Sequence, residues 1–206
     1  MNIESSIRIL FQLATRIKWI SEIDLVAYMN FDSLNKYQCI DSFYNLPFPI
    51  SVSAICQDYL VVQSCSYLDE YDNYFTIKNF PNEKERILKL KRIVKPAYKK
   101  IKSWKDLKKM RNNIIAHNHR VNGESIYDSV EKVTYIVPSS NEEYTLLADL
   151  IFIITQNIEP VFPDIVKSMN FSSTLRDFLV IKSEKINTYE ELKRIEDEIE
   201  INKNCP

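Results

Sequence analysis

Glycine is almost missing from this chain: one residue of 206, Gly123. Glycine supplies the positive φ of two-residue hairpins and the close backbone approach of phosphate-cradling loops. Its scarcity argues against an all-β fold, a P-loop and a dinucleotide-binding fold. Histidine is nearly as rare, with only His117 and His119. The four cysteines, Cys39, Cys56, Cys65 and Cys205, show no CxxC spacing. A zinc site is therefore not expected, and the thiols read as reduced cysteines of a cytoplasmic protein. No metal or cofactor is expected. Long apolar runs are lacking too. The longest, residues 146–155, is interrupted by Asp149 and falls short of the roughly 20 residues that span a membrane. The opening MNIESSIRIL carries Glu4 and no basic region ahead of an apolar stretch, so it does not read as a secretory leader.

What is present is ordinary for a globular chain: 45% apolar and 27% charged residues. The length fits one domain. The expected class is all-α: one helical domain over 1–206, with its core at about 52–165 and residues 170–206 as a C-terminal helical appendage. Apolar spacing predicts helices over 4–29, 52–76, 83–95, 104–118, 141–159 and 188–202, with a short one after Pro160 and Pro163. In the first, Ile7, Leu10, Phe11, Ala14, Ile17 and Trp19 fall mostly on one side. The second runs through Ile55, Tyr59, Val62, Tyr67, Tyr71 and Phe75. Pro96 ends or kinks the third. The fourth has an apolar stripe of Trp104, Leu107, Met110 and Ile114. Ser103 with Asp106, and Thr188 with Glu191, have capping-box spacing. Residues 30–51 read as irregular but packed, and 119–140 as a loop with an extended piece at VTYIV.

Charge is distributed unevenly. The net charge is −1, yet Arg86–Arg111 holds twelve Lys/Arg and one acid, Asp106. Residues 190–200 reverse the balance, with six acids and two bases. The basic stretch interleaves Tyr98 and Trp104. Clustered cations neutralise phosphates and exposed aromatics stack on bases. The plain alternative is a solvated helix face with Trp104 in the core.

The basic stretch runs into residues 111–120, RNNIIAHNHR, which hold both histidines beside an arginine. Imidazole exchanges protons near neutral pH, and a guanidinium offers a fixed charge and a fork of donors suited to phosphate. Together they suit general acid–base chemistry on a phosphodiester. On an α-helix, residues six apart differ by about 120° around the axis. Arg111 and His117 then flank a broad face rather than share a stripe. A two-fold dimer crossing this helix with its mate brings the groups together, so a homodimer is expected.

The run MRNNIIAHNHR resembles the signature of the HEPN superfamily: Arg, a polar residue, a few more positions, then His near a helix end. It is most similar to the abortive-infection branch. The resemblance covers residues 55–160 and is sharp over 110–118. It implies an up-and-down bundle of four to five core helices with extra terminal helices. It implies a metal-independent endoribonuclease, in phage defence or as a toxin, with a composite dimer cleft. Arg111, Asn112 and His117 are the candidate catalytic residues. Lys105, Lys108, Lys109, His119 and Arg120 are the candidate RNA-binding residues. RNA and an antitoxin or nucleotidyltransferase are the implied partners. Some HEPN toxins carry a modifiable Tyr two positions after the His, where this chain has His119.

Each residue also has a structural reading. His117 would cap a helix C-terminus, where the dipole favours a cation. His119 would be a surface residue. Arg111 would pair with Asp69, Glu70 or Asp72. The competing function is a non-catalytic helical module that binds nucleotide, RNA or a protein. A third reading makes YLDEYDNYF (67–75) an interaction surface.

Overall fold

The computed structural model describes residues 2–34, 48–115, 120–121, 124–125, 134–169, 190 and 193–195. The chain divides into two compact units, Met1–Met169 and Asn170–Pro206. The described part is predominantly helical: α1 (Ile3–Met29), α2 (Phe31–Leu34), α3 (Phe48–Asp69), α4 (Lys84–Ile93), α5 (Lys95–Ser103), α6 (Leu107–Met110), α7 (Asn141–Gln156) and α8 (Pro163–Ser168). Strand structure among the described residues is a two-residue antiparallel ladder, β1 (Arg120–Val121) with β2 (Glu124–Ser125). Among the described residues no helix is long and apolar enough to cross a membrane.

α1 starts where the Asn2 side chain accepts a hydrogen bond from the Glu4 N–H at 3.0 Å, an N-cap that satisfies an orphan donor. It runs to Met29 without Gly or Pro. Ile7, Leu10, Ala14 and Ile17 are buried on one stripe, spaced as a core-facing helix requires. Trp19 departs from the expectation: it is 61% exposed, and Ile20 takes the inward position beside it. The core thus begins well before residue 52.

α3 starts at Phe48, earlier than expected. Pro49 sits in its first turn, where a missing N–H costs no helical bond. The apolar stripe read for this helix holds at Tyr67, Tyr71 and Phe75 and fails in its first half. Ile55 is 69% exposed and Tyr59 is exposed, while Leu60, Val61, Cys65 and Leu68 face the core. α1 packs against α3 and α7, and α5 against α7. The Tyr67 hydroxyl meets Thr155 Oγ1 at 2.9 Å, tying α3 to α7 inside the core. Lys18 pairs with Asp149 at 2.8 Å on the α1–α7 seam.

The run 67–75 is mostly core rather than surface. Tyr67, Tyr71 and Phe75 are buried and Tyr74 is exposed. Their rings stack at 6.3 and 6.1 Å, and Phe75 meets Phe162 edge-on at 5.8 Å, within the range of favourable ring pairs.

The basic region differs most from its sequence reading. Pro96 does end α4, but a further helix, α5, starts at once with the proline in its first turn. Val94 N–H reaches Leu90 O and Tyr98 N–H reaches Val94 O, both at 3.0 Å, so the axis is kinked rather than broken. Ser103 and Asp106 make no capping box. Ser103 ends α5, its hydroxyl donating to Lys100 O at 2.6 Å. Asp106 precedes α6, and its carboxylate instead accepts from Ile136 N–H at 2.9 Å. That bond pins residues 134–137, the described part of the segment read as VTYIV, against the α5–α6 corner. Trp104 and Leu107 are buried as expected. α7 begins at Asn141, capped by Ser140, which accepts from Glu143 N–H at 3.3 Å. The helix predicted at 188–202 lies almost wholly outside the described residues.

Candidate functional site

Two π turns lie near the site, one continuing α3 and one following α6, and the second packs on α3 itself. α3 ends in one, Glu70–Tyr74, closed by Phe75 N–H on Glu70 O at 2.8 Å. α6 gives way to the other, Arg111–Ile115. A π turn is one residue wider than an α turn and is rare outside functional sites and strained helices. The angle of about 120° expected between Arg111 and His117 assumes an α-helix, so it does not hold through 111–115.

Arg111 lies at the head of its turn and reaches back to the end of α3. Its guanidinium donates to Asp69 Oδ2 at 3.1 Å and, through Nε, to Asn112 Oδ1 at 3.0 Å. Asn112 therefore helps to orient the Arg111 guanidinium. Lys108 approaches the other oxygen of Asp69 at 2.5 Å. Among the three acids weighed as partners for Arg111, Asp69 takes the place. Glu70 is buried and accepts a hydrogen bond from the Ser6 hydroxyl. Asp72 accepts from Tyr98 OH at 2.6 Å and from Lys102 Nζ at 2.7 Å.

The electrostatics follow from these contacts. Partial burial pushes the Asp69 carboxyl upward, but hydrogen bonds and charge from Lys108 and Arg111 outweigh it and hold the group below the usual carboxylate range. Burial pushes the Cys65 thiol up to about 11 despite the opposing charge of Arg111, so this cysteine is an inert neighbour rather than a nucleophile. Burial likewise raises the Tyr98 phenol, and its hydrogen bond to Asp72 adds to the rise. Lys91, half-buried 5.1 Å from the Tyr71 ring centre, is lowered by burial.

Arg111 keeps 26% of its side chain exposed. With Lys108 it sets two cations against one carboxylate, a local excess of positive charge. An incoming phosphate would share or displace Asp69 to reach the guanidinium fork, the geometry that suits bidentate anion binding.

The remaining candidates fall in different places. Lys105 is exposed. Lys109 lies 5.4 Å from the ring centre of Tyr135, so it is engaged at a cation–π contact. Lys100 sits over the Trp104 ring at 4.6 Å. Arg120 opens β1, but its side chain lies outside the described set, as do His117 and His119 entirely. Arg111 and Asn112 are therefore brought together with Asp69 and Lys108.

Sequence reasoning did not single out Asp72, Tyr98 or Lys102 as a unit. The signal was available: the acids of DEYD (69–72) on one helix and a basic run on another are complementary charges. A concavity of about 300 Å³ lies between α1, α3 and α7, with Tyr28, Phe31 and Gln57 in its wall, and it belongs to a different part of the fold. No protein-family model, curated protein or solved structure matches the chain.

Proposed function

We propose that the chain is a HEPN-like, metal-independent endoribonuclease that works as a homodimer in phage defence or as a toxin. The observation that supports it is the setting of Arg111: on a π turn, partly exposed, with Asn112 and Asp69 fixing its guanidinium. Held in this way, a fork of donors loses little entropy when it binds a phosphate.

In this reading the ribose 2′-oxygen attacks the adjacent phosphorus and the bond to the 5′-oxygen breaks. The products are a 2′,3′-cyclic phosphate and a free 5′-hydroxyl. His117 of one protomer takes the 2′-OH proton, and the partner's His117 donates a proton to the leaving oxygen. Arg111 stabilises the charge that builds on the phosphorane. General acid–base catalysis and charge stabilisation each contribute about 10²–10³-fold or more.

Purified wild type in EDTA should cleave total RNA, and folded Arg111→Ala and His117→Ala should each lose at least about 100-fold in rate. Undiminished cleavage by either variant would remove that residue from the mechanism. No cleavage by the folded wild-type dimer on any RNA would sink the nuclease reading. A second reading, a non-catalytic binding module, draws on one observation: Asp69 already gives Arg111 a structural partner.

A further inference from the structure

The basic stretch separates into two sets of cations once it is folded. Arg86, Lys91, Lys100, Lys102, Lys108, Lys109 and Arg111 each meet a carboxylate or an aromatic ring. Lys105, beyond the end of α5, meets neither among the described residues, and nor do Lys89, Arg92, Lys95 and Lys99. All four are exposed, and among the described residues none of them makes an ion pair.

These four are not scattered. Steps of three, three and four residues carry them along one side of α4 and α5, across a junction whose hydrogen bonds continue through Val94. Ten residues of helical rise make a row about 15 Å long. The opposite side is committed to the core, with Ile87, Leu90, Val94 and Ile101 buried. Lys102 extends the row on α5 and is bonded to Asp72, three residues from the Asp69 that holds Arg111.

We propose that this ridge of Lys89, Arg92, Lys95 and Lys99 is a track for the phosphates of single-stranded RNA, leading the strand toward Arg111. The choice of RNA rests on the ribonuclease reading. The form of the site supports it independently in two ways. Cations in a row suit a repeating polyanion, whereas one phosphate group needs cations that converge. A membrane-binding helix needs a broad apolar face free to insert, and here the face carrying Ile87, Leu90, Val94 and Ile101 is buried, with Leu88 and Ile93 the large apolar side chains of α4 left exposed. The track adds to the surface expected from sequence, where Lys108 faces Asp69 and Lys109 faces the Tyr135 ring.

The test is fluorescence anisotropy with a labelled oligouridylate over a salt series. Wild type is compared with Lys89→Gln/Arg92→Gln/Lys95→Gln/Lys99→Gln and with the milder Lys95→Gln/Lys99→Gln. Lys78→Gln/Lys167→Gln controls for net charge away from the ridge. Each phosphate contact contributes about 0.7 to the slope of log K against log salt for a single strand, so the quadruple variant should lose about 2.8 and the double about 1.4. Affinity at low salt should fall at least about tenfold for the quadruple variant and stay near wild type for the control. Unchanged affinity and slope in either ridge variant would overturn the track. So would equal losses on polyglutamate or on phosphatidylserine vesicles, which would show a ridge indifferent to RNA. Wild type that binds with the expected slope yet never cleaves removes the nuclease reading and leaves the track standing. Wild type that cleaves while the ridge variants bind as before does the reverse.

Discussion

The two ends of the basic run carry similar residues and face opposite circumstances. Around 102–111, Lys102, Lys108 and Arg111 are locked onto Asp72 and Asp69, at the π turn that ends α3. Between 89 and 99, Lys89, Arg92, Lys95 and Lys99 stand in solvent on the outer side of α4 and α5. A charge count treats them alike. The fold assigns one set to holding a site together and leaves the other available to a ligand.

The largest stability effect should come from the shared carboxylate. Asp69→Ala leaves Lys108 and Arg111 facing each other without their anion. It should cost about 1–2 kcal/mol after allowance for partial exposure, or roughly 2–4 °C in melting temperature per kcal/mol for a chain of this size. The pH dependence has a definite sign. The folded-state value of Asp69 lies below the unfolded one, so its contribution is fully present above about pH 4 and is lost as pH falls through the lowered folded value. Thermal melts of wild type and Asp69→Asn should therefore differ at pH 7 and converge in acid. A gap that persists unchanged at pH 2 would assign the stability to something other than this ion pair.

At the other end of the scale, Lys95→Gln or Lys99→Gln alone should shift stability by less than about 0.5 kcal/mol, as exposed substitutions do. A shift of 1 kcal/mol or more in urea denaturation would mean that the ridge, too, is structural, and the contrast between the two sets would fail.

The sequence revealed some of this and hid the rest, for physical reasons. α1 and α7 were legible because apolar spacing is a local signal, although the caps at Asn2 and Ser140 appeared only in the structure. The start of α3 at Phe48 was missed because Pro49 was read as a breaker, although proline is tolerated in a first turn. The stripe of α3 was misread because Ile55 and Tyr59 are apolar yet outward, and hydrophobicity alone does not tell inside from outside. Ser103 and Asp106 have the right spacing for a cap, but Asp106 bonds Ile136, thirty residues away. The π turns had no sequence mark at all. At the site, Asp69 was one of three candidate partners for Arg111. Only packing could select it, by burying Glu70 against Ser6 and giving Asp72 to Tyr98 and Lys102.

On the ribonuclease proposal, Arg111 is held in place for chemistry and is more than a strut for α3. Arg111→Lys separates the two roles. Lysine keeps the charge that Asp69 requires but loses the planar fork that Asn112 orients and a phosphate would engage. Cleavage rate and thermal stability should be measured together on this one variant. The account predicts a melting temperature close to wild type and a cleavage rate lower by about 100-fold. A variant that cleaves at the wild-type rate would contradict it and leave Arg111 as a structural ion pair.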